Sequence, residues 1–184
     1  MNPAFLEKAV EALKNEKIIA YPTEGVYGLG CDPKSESALI ALLTLKGRVP
    51  EKGFILIGSH LEQFSSYIAP LTKKEIKEIS ETEEVTTWLV PKGDSLSFLL
   101  CGSYPTVGIR VTTHPIAKAL CEAFGRPLVS TSANVSGGSP ARTAEEVKAQ
   151  FQGSLLGYVV EGAVGSLGKP STLRDLKTRE ILRP

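Results

Sequence analysis

Histidine, cysteine and tryptophan are scarce in this 184-residue chain, with two, three and one copies. Cys31, Cys101 and Cys121 are odd in number and form no Cys-x-x-Cys pair, and His60 and His114 stand far apart in the sequence. Those counts argue against a Cys/His zinc site and against a disulfide framework. They also leave too few imidazoles for a serine or cysteine triad. The thiols are expected to be buried or free in a reducing cytosol. No apolar run approaches the ~20 residues that a membrane helix needs. The start, MNPAFLEKAV, lacks a basic segment followed by an apolar core, so no signal peptide and no membrane contact are expected, and the localisation read from these absences is cytoplasmic.

Neither charge sign dominates: 21 Lys and Arg face 20 Asp and Glu, a formal net charge of +1. That balance names no partner, because a basic groove can be offset by acids elsewhere, and Glu75, Glu78, Glu81, Glu83 and Glu84 supply such acids. Two phosphate-binding motifs are missing as well. Gly25, Gly28 and Gly30 do not give the GxGxxG order, and Gly165-Ser-Leu-Gly-Lys-Pro-Ser171 has Ala163 where a P-loop begins with glycine and Pro170 after its lysine.

What is present reads as a globular chain. Hydrophobic residues make up 42% and charged residues 22%, near the averages of folded proteins, and a single domain over residues 1–184 is expected. Periodicity and caps predict helices over 3–15, 35–45, 60–68, 72–81, 115–124 and 144–151. Apolar, β-branched runs predict strands over 17–21, 54–57, 85–90, 98–101, 107–111, 127–130, 157–161, 171–175 and 180–183. The irregular alternation favours a mixed sheet with helices packed on it over a regular doubly wound fold.

Two segments concentrate small and hydroxyl-bearing residues: YPTEGVYGLG at 21–30 and STSANVSGG at 130–138. Each reads as a strand entering a loop and then a helix, a junction that aims backbone N–H groups, hydroxyls and a positive helix end at one point. The second would pass as a capped turn, but Ser130, Thr131, Ser132, Asn134 and Ser136 exceed what one cap requires. Lys46, Arg48 and Lys52 would suit a helix C-terminus; if they meet the two loops, Arg48 can grip a phosphate bidentately while the lysines act as point charges. Arg110, inside Val107-Gly-Ile-Arg-Val111, either faces solvent or needs an anionic partner inside the protein. An anionic small molecule is expected, with a nucleotide the leading candidate.

Tyr21-Pro-Thr-Glu-Gly-Val-Tyr-Gly-Leu-Gly30, Lys46-x-Arg48, Gly108-Ile-Arg110-Val and Ser132-Ala-Asn134-x-Ser-Gly137 together resemble the YrdC/TsaC family of L-threonylcarbamoyladenylate synthases. The resemblance runs over essentially the whole chain and is to the short bacterial form. It implies an α/β fold of the α+β type, with a twisted mixed β-sheet and flanking helices around a basic concave cavity. It implies a nucleotidyltransferase that joins L-threonine, bicarbonate and ATP, with Mg2+, into threonylcarbamoyl-AMP and releases pyrophosphate. Partner proteins would then carry the threonylcarbamoyl group to the tRNA adenosine beside the anticodon. Because the attacking carbamate oxygen belongs to the substrate, no catalytic Ser, Cys or His is required, and catalysis reduces to positioning and charge neutralisation.

By motif position the resemblance implies a catalytic set of Lys46, Arg48, Ser132 and Asn134. ATP falls to Arg48, Lys52, Ser132, Asn134 and Arg183, and L-threonine to Thr23, Arg110, Ser130 and Thr172, with Arg110 on its carboxylate. No protein side chain is expected to ligate the metal. The chain departs from the family pattern at Gly25, at Val49 between Arg48 and Pro50, and across residues 91–103. A double-stranded RNA-binding or rRNA-maturation role is the alternative, since a basic cavity would also attract tRNA or other RNA. The chain lacks the stacking aromatic pairs and the extended basic stripe of sequence-specific RNA readers. Carbamoyl-AMP formation from carbamoyl phosphate is a further enzymatic alternative, which resides in larger multidomain chains.

Overall fold

A computed structural model describes residues 3–94, 96–152 and 155–184. The chain opens with helix α1 (Pro3–Lys14) and the hairpin β1 (Ile18–Pro22) and β2 (Tyr27–Gly30). Helix α2 (Glu36–Lys46), strand β3 (Ile55–Gly58) and helix α3 (Lys73–Glu81) follow. Next come β4 (Thr86–Pro91), the one-turn helix α4 (Phe98–Cys101), β5 (Thr106–Val111) and α5 (Pro115–Phe124). Strand β6 (Leu128–Ser132), helix α6 (Ala144–Gln150) and strands β7 (Leu156–Val159), β8 (Thr172–Asp175) and β9 (Ile181–Arg183) complete the chain.

The strands join in one mixed sheet of order β7-β1-β2-β6-β3-β5-β4-β8-β9. The β1/β7, β3/β5 and β4/β8 pairs are parallel, and the remaining pairs are antiparallel. Strand alternation decides the layers. Ile18, Ala20 and Leu56 enter one core with Leu39, Leu42 and Trp88, whereas Ile19, Tyr21 and Ile57 enter a second with Leu13 and Leu120. Helices therefore cover both faces, with α1 and α5 on the side of the second core. Both interior strands β1 and β2 are buried along their whole length, which accounts for their near-continuous apolar character.

Local chemistry sets the helix starts. Ser35 Oγ accepts from Ala38 N at the head of α2. Thr72 and Glu75 form a reciprocal capping box on α3, and Thr143 accepts from Glu146 N on α6; each such cap is worth about 1 kcal/mol. No helix among the described residues is long and apolar enough to cross a membrane.

Several expectations are corrected. Residues 98–101 form a helical turn, not a strand: the Ser97 hydroxyl accepts from Leu99 N, and a four-residue apolar run carries no period to tell helix from strand. Residues 60–68 hold a single 3-10 turn at Leu61–Phe64 in place of a longer helix. The segment 21–30 is a hairpin, not a strand entering a helix, with Thr23 N bonded to Val26 O at 3.1 Å. Gly30 belongs to β2 because a Cβ there would lie 2.3 Å from Val129 O; close strand packing, and not loop flexibility, requires it. Strand β6 likewise ends without entering a helix, since α6 starts only at Ala144. Neither segment therefore has a helix N-terminus directly behind its hydroxyl-bearing residues.

Candidate functional site

The two motif segments meet on one cavity of about 420 Å3. Strand β6 is the common neighbour of β2 and β3, and its register sets Ser132 beside Gly28 and Ser130 beside Ile55. Strand β5 lies against β3, with Gly108 beside Ile55 and Arg110 two residues farther along. Glycines at 28 and 108 leave the cavity floor without side chains, and Thr23, Ser130, Thr131 and Ser132 supply hydroxyls around it. Arg48, Lys52, Arg110, Lys169 and Arg183 line the same cavity, whereas no Asp or Glu does among the described lining residues. That donor set is made for an anion.

Arg110 is 6% exposed. Its Nη2 lies 3.4 Å from Glu24 Oε2, which supplies the anionic partner that an inward-facing arginine demands, and its Nε is buried without a partner. Glu24 is in turn anchored by Thr112 Oγ1 at 2.6 Å and Thr113 N at 3.0 Å. Burial would lift the Glu24 carboxyl, yet Arg110 and the Thr112 hydroxyl outweigh it and hold the group below its ordinary range. Arg183 donates from Nε and Nη2 to Ser171 O at 3.2 and 2.9 Å. Burial first, and the like charge of Arg110 second, lower its pKa; both guanidinium-bearing residues line the same cavity.

Arg48 closes another side. Its Nε and Nη2 donate to Gly53 O at 3.1 and 2.9 Å, and Nη2 also reaches Lys52 O at 3.2 Å. The guanidinium lies 5.5 Å from the centroid of the Phe54 ring, so the head group is fixed in place while still facing the cavity. Val49 is extended ahead of the Pro50–Lys52 turn and accommodates the extra residue between Arg48 and Pro50.

Lys46, Asn134 and Thr172 do not line the cavity. Lys46 is buried and donates from Nζ to Ser132 O at 2.5 Å and Asn134 O at 2.7 Å. Ser136 N returns a bond to Lys46 O at 3.0 Å, so the end of α2 clamps the loop after β6. Burial, with Arg48 adding like charge, pushes Lys46 down to about 8. Asn134 Oδ1 accepts from the Ser132 hydroxyl at 2.5 Å, and Nδ2 donates to Val135 O and Gly138 O at 2.8 and 3.0 Å. The Thr172 hydroxyl donates to Glu84 Oε1 at 2.5 Å. Thr23 and Ser130 do reach the cavity; the Thr23 hydroxyl donates to Val26 O at 2.7 Å and keeps its lone pairs for a ligand.

Several lining residues escape the sequence reading. The segment ahead of β8, set aside as a failed P-loop, contributes Leu167, Lys169, Pro170 and Ser171 to the wall. It crosses the β1–β2 turn through Gly165 N to Thr23 O at 2.9 Å and Leu167 N to Glu24 O at 3.0 Å. A Cβ on Gly25 would stand 2.0 Å from Lys169 O, so the departure at Gly25 is the residue this close crossing requires. Tyr104 and Cys101 bring residues from the 91–103 region and just beyond it to the wall; Ser95 lies outside the described residues. The signal for Glu24 was its place inside the 21–30 motif opposite a buried arginine, and nothing in the sequence alone pairs the two. Among the described residues no group of three or more His, Cys, Asp or Glu is placed to hold a metal ion.

The Sua5/YciO/YrdC family model, described as telomere recombination, matches residues 11–184. The threonylcarbamoyl-AMP synthase of Aliivibrio fischeri is 45% identical over 181 residues, covering 97% of this chain and 97% of that one. The structure of P. abyssi Sua5 complexed with L-threonine superposes with a TM-score of 0.88 at 28% identity. That match covers 97% of this chain and 53% of the P. abyssi chain, so the present chain spans about half of that relative. E. coli YciO superposes with a TM-score of 0.83 at 26% identity, covering 99% of this chain and 89% of the other. With the motif segments gathered on one basic cavity and the match extending from residue 11 to residue 184, this chain belongs to the Sua5/YciO/YrdC family.

Proposed function

We propose that residues 1–184 act as one catalytic domain that makes threonylcarbamoyl-AMP from L-threonine, bicarbonate and ATP, with release of pyrophosphate. The observation that carries this reading is one cavity holding two kinds of anion site. Arg110, held beside Glu24 on the cavity wall, suits a carboxylate. Arg48, Lys52 and Arg183, with the Ser132 hydroxyl on the same wall, suit a triphosphate. The name of the A. fischeri relative and the L-threonine bound in P. abyssi Sua5 support the assignment.

In this reading Arg110 holds the threonine carboxylate, and Thr23 and Ser130 receive its polar groups. The amine takes up CO2 as a carbamate, and a carbamate oxygen attacks the α-phosphorus of ATP as pyrophosphate leaves. The chain's part is to align the two anions and to offset their repulsion with fixed cations in a partly dry site. Lys46, Asn134 and Thr172 act behind the wall: Lys46 and Asn134 shape the Ser132 loop, and Thr172 fixes β8. Magnesium would enter with the phosphates of ATP and supply further charge neutralisation. The product passes to transfer proteins and, through them, to tRNA, which sets the site of action in the cytoplasm.

The test is pyrophosphate release with ATP and Mg2+, omitting L-threonine and bicarbonate one at a time. Release that needs both is expected. No release despite measurable ATP binding would overturn the reading, and a tight RNA complex whose affinity falls steeply with salt would replace it with the RNA-binding alternative.

A further inference from the structure

Glu24 does not reach the cavity, yet it is built as carefully as anything that does. The residue is 6% exposed, and its Oε1 takes three donors: Thr112 Oγ1 at 2.6 Å, Thr113 N at 3.0 Å and His114 N at 3.4 Å. Its backbone oxygen is occupied by Leu167 N at 3.0 Å. The carboxylate is therefore immobilised by the exit of β5 and by the segment crossing the hairpin, whatever Arg110 does. The second oxygen, Oε2, makes no hydrogen bond among the described residues and stands 3.4 Å from Arg110 Nη2.

Arginine is a flexible cation, and a carboxylate site needs its planar fork held in one plane. Arg183 carries like charge on the same cavity wall, and Ile57 stands beside Arg110 on the neighbouring strand. A fixed negative charge beside Nη2 is what keeps the guanidinium from turning away, and it leaves the cavity-facing part of the group for a ligand. We propose that Glu24 is a positioning residue for amino-acid binding, acting through Arg110. The proposal rests on the assignment of Arg110 to the substrate carboxylate. An opposing effect exists, because Glu24 also competes with that carboxylate for the same positive charge. Geometry wins here: the pair has no hydrogen bond to break, so a ligand carboxylate can bind the cavity-facing part of the guanidinium without displacing Glu24.

The experiment compares the wild type with Glu24→Gln, Arg110→Lys, the double variant and Thr112→Val, measuring KM for L-threonine and for ATP by pyrophosphate release, with Tm alongside. Gln keeps the shape and the Oε1 acceptor but removes the charge. It is expected to raise the threonine KM by about tenfold, the loss of one charge-assisted contact, with the ATP KM within about twofold. Thr112→Val, which removes the 2.6 Å donor to Glu24 and the acceptor of His114 N at 3.3 Å, should shift the threonine KM in the same direction by about threefold and keeps the test open if the Gln variant folds poorly. The double variant should bind threonine no worse than Arg110→Lys alone. An unchanged or lowered threonine KM in both Glu24→Gln and Thr112→Val, an equal rise for both substrates, or additive effects in the double variant would overturn the proposal while leaving Arg110 in place. An unchanged threonine KM in Arg110→Lys would instead remove the carboxylate assignment, and the proposal with it.

Discussion

Replacing Gly25 by alanine tests whether the segment crossing the hairpin is held where it is described. The added Cβ would stand 2.0 Å from Lys169 O and 3.0 Å from Lys169 C, far inside contact. Backbone atoms, not the tip of a flexible side chain, receive the collision, so the crossing segment must lift. Overpacking of this kind costs about 1–3 kcal/mol. Lifting also strains the bonds from Gly165 N to Thr23 O and from Leu167 N to Glu24 O, worth about 1 kcal/mol each. Together these give about 3–5 kcal/mol, and at about 2–4 °C per kcal/mol for a chain of this length the melting temperature should fall by roughly 6–20 °C. Lys169 and Ser171 would leave their places on the wall, and a misplacement of about 1 Å is enough to lower turnover by at least about tenfold. Differential scanning calorimetry, steady-state pyrophosphate release and amide exchange at Gly165 and Leu167 measure the three effects. A Gly25→Ala variant with native melting, native turnover and unchanged exchange at both amides would refute the close crossing and the reasoning built on it.

Arg48→Ala should lower pyrophosphate release by more than about tenfold while the chain stays folded, because the contacts it loses are to two backbone oxygens and one ring; near-normal turnover would remove Arg48 from the phosphate site. Lys46→Met leaves the Ser132 and Asn134 oxygens buried without their donor, costing about 2–4 kcal/mol, and should speed amide exchange at Ser136. The same variant should alter the pH profile of stability. Lys46 is lowered to about 8 in the folded protein against 10.5 ordinarily, so between those values the unfolded chain binds more protons and the lysine's contribution to stability increases as pH rises. Melting curves of wild type and Lys46→Met taken from pH 7 to pH 10 should therefore differ in slope, and parallel curves would contradict a lowered Lys46.

Much of the fold was legible because its signals are local. Ser35, the Thr72/Glu75 pair and Thr143 mark helix starts through side chains that reach only three residues ahead. The signals that failed concern groups whose reason lies elsewhere in the chain. Gly30 is required by Val129 O and Gly25 by Lys169 O, and a glycine carries no trace of which distant atom excludes its side chain. The four apolar residues of α4 are too few to show a period. At the site, Arg48, Arg110, Ser130 and Ser132 could be picked out by residue type and motif. Whether a polar group faces the ligand or the protein could not, and Lys46 and Asn134, which turn inward to hold the loop, look no different in sequence from Arg48. Glu24 shows the converse, since a carboxylate buried behind a basic cavity gains its meaning only from the guanidinium beside it.

Strands β7 and β8 follow one another in the chain yet stand near opposite edges of the sheet. The connection between them must travel across the molecule, and it does so along the cavity, laying Leu167, Lys169 and Ser171 over it. A growing polypeptide can thus complete every strand through β6 and still possess only an open trough. The last quarter of the sequence thus both finishes the sheet and supplies part of the cavity wall, so the chamber is whole only when the whole chain is.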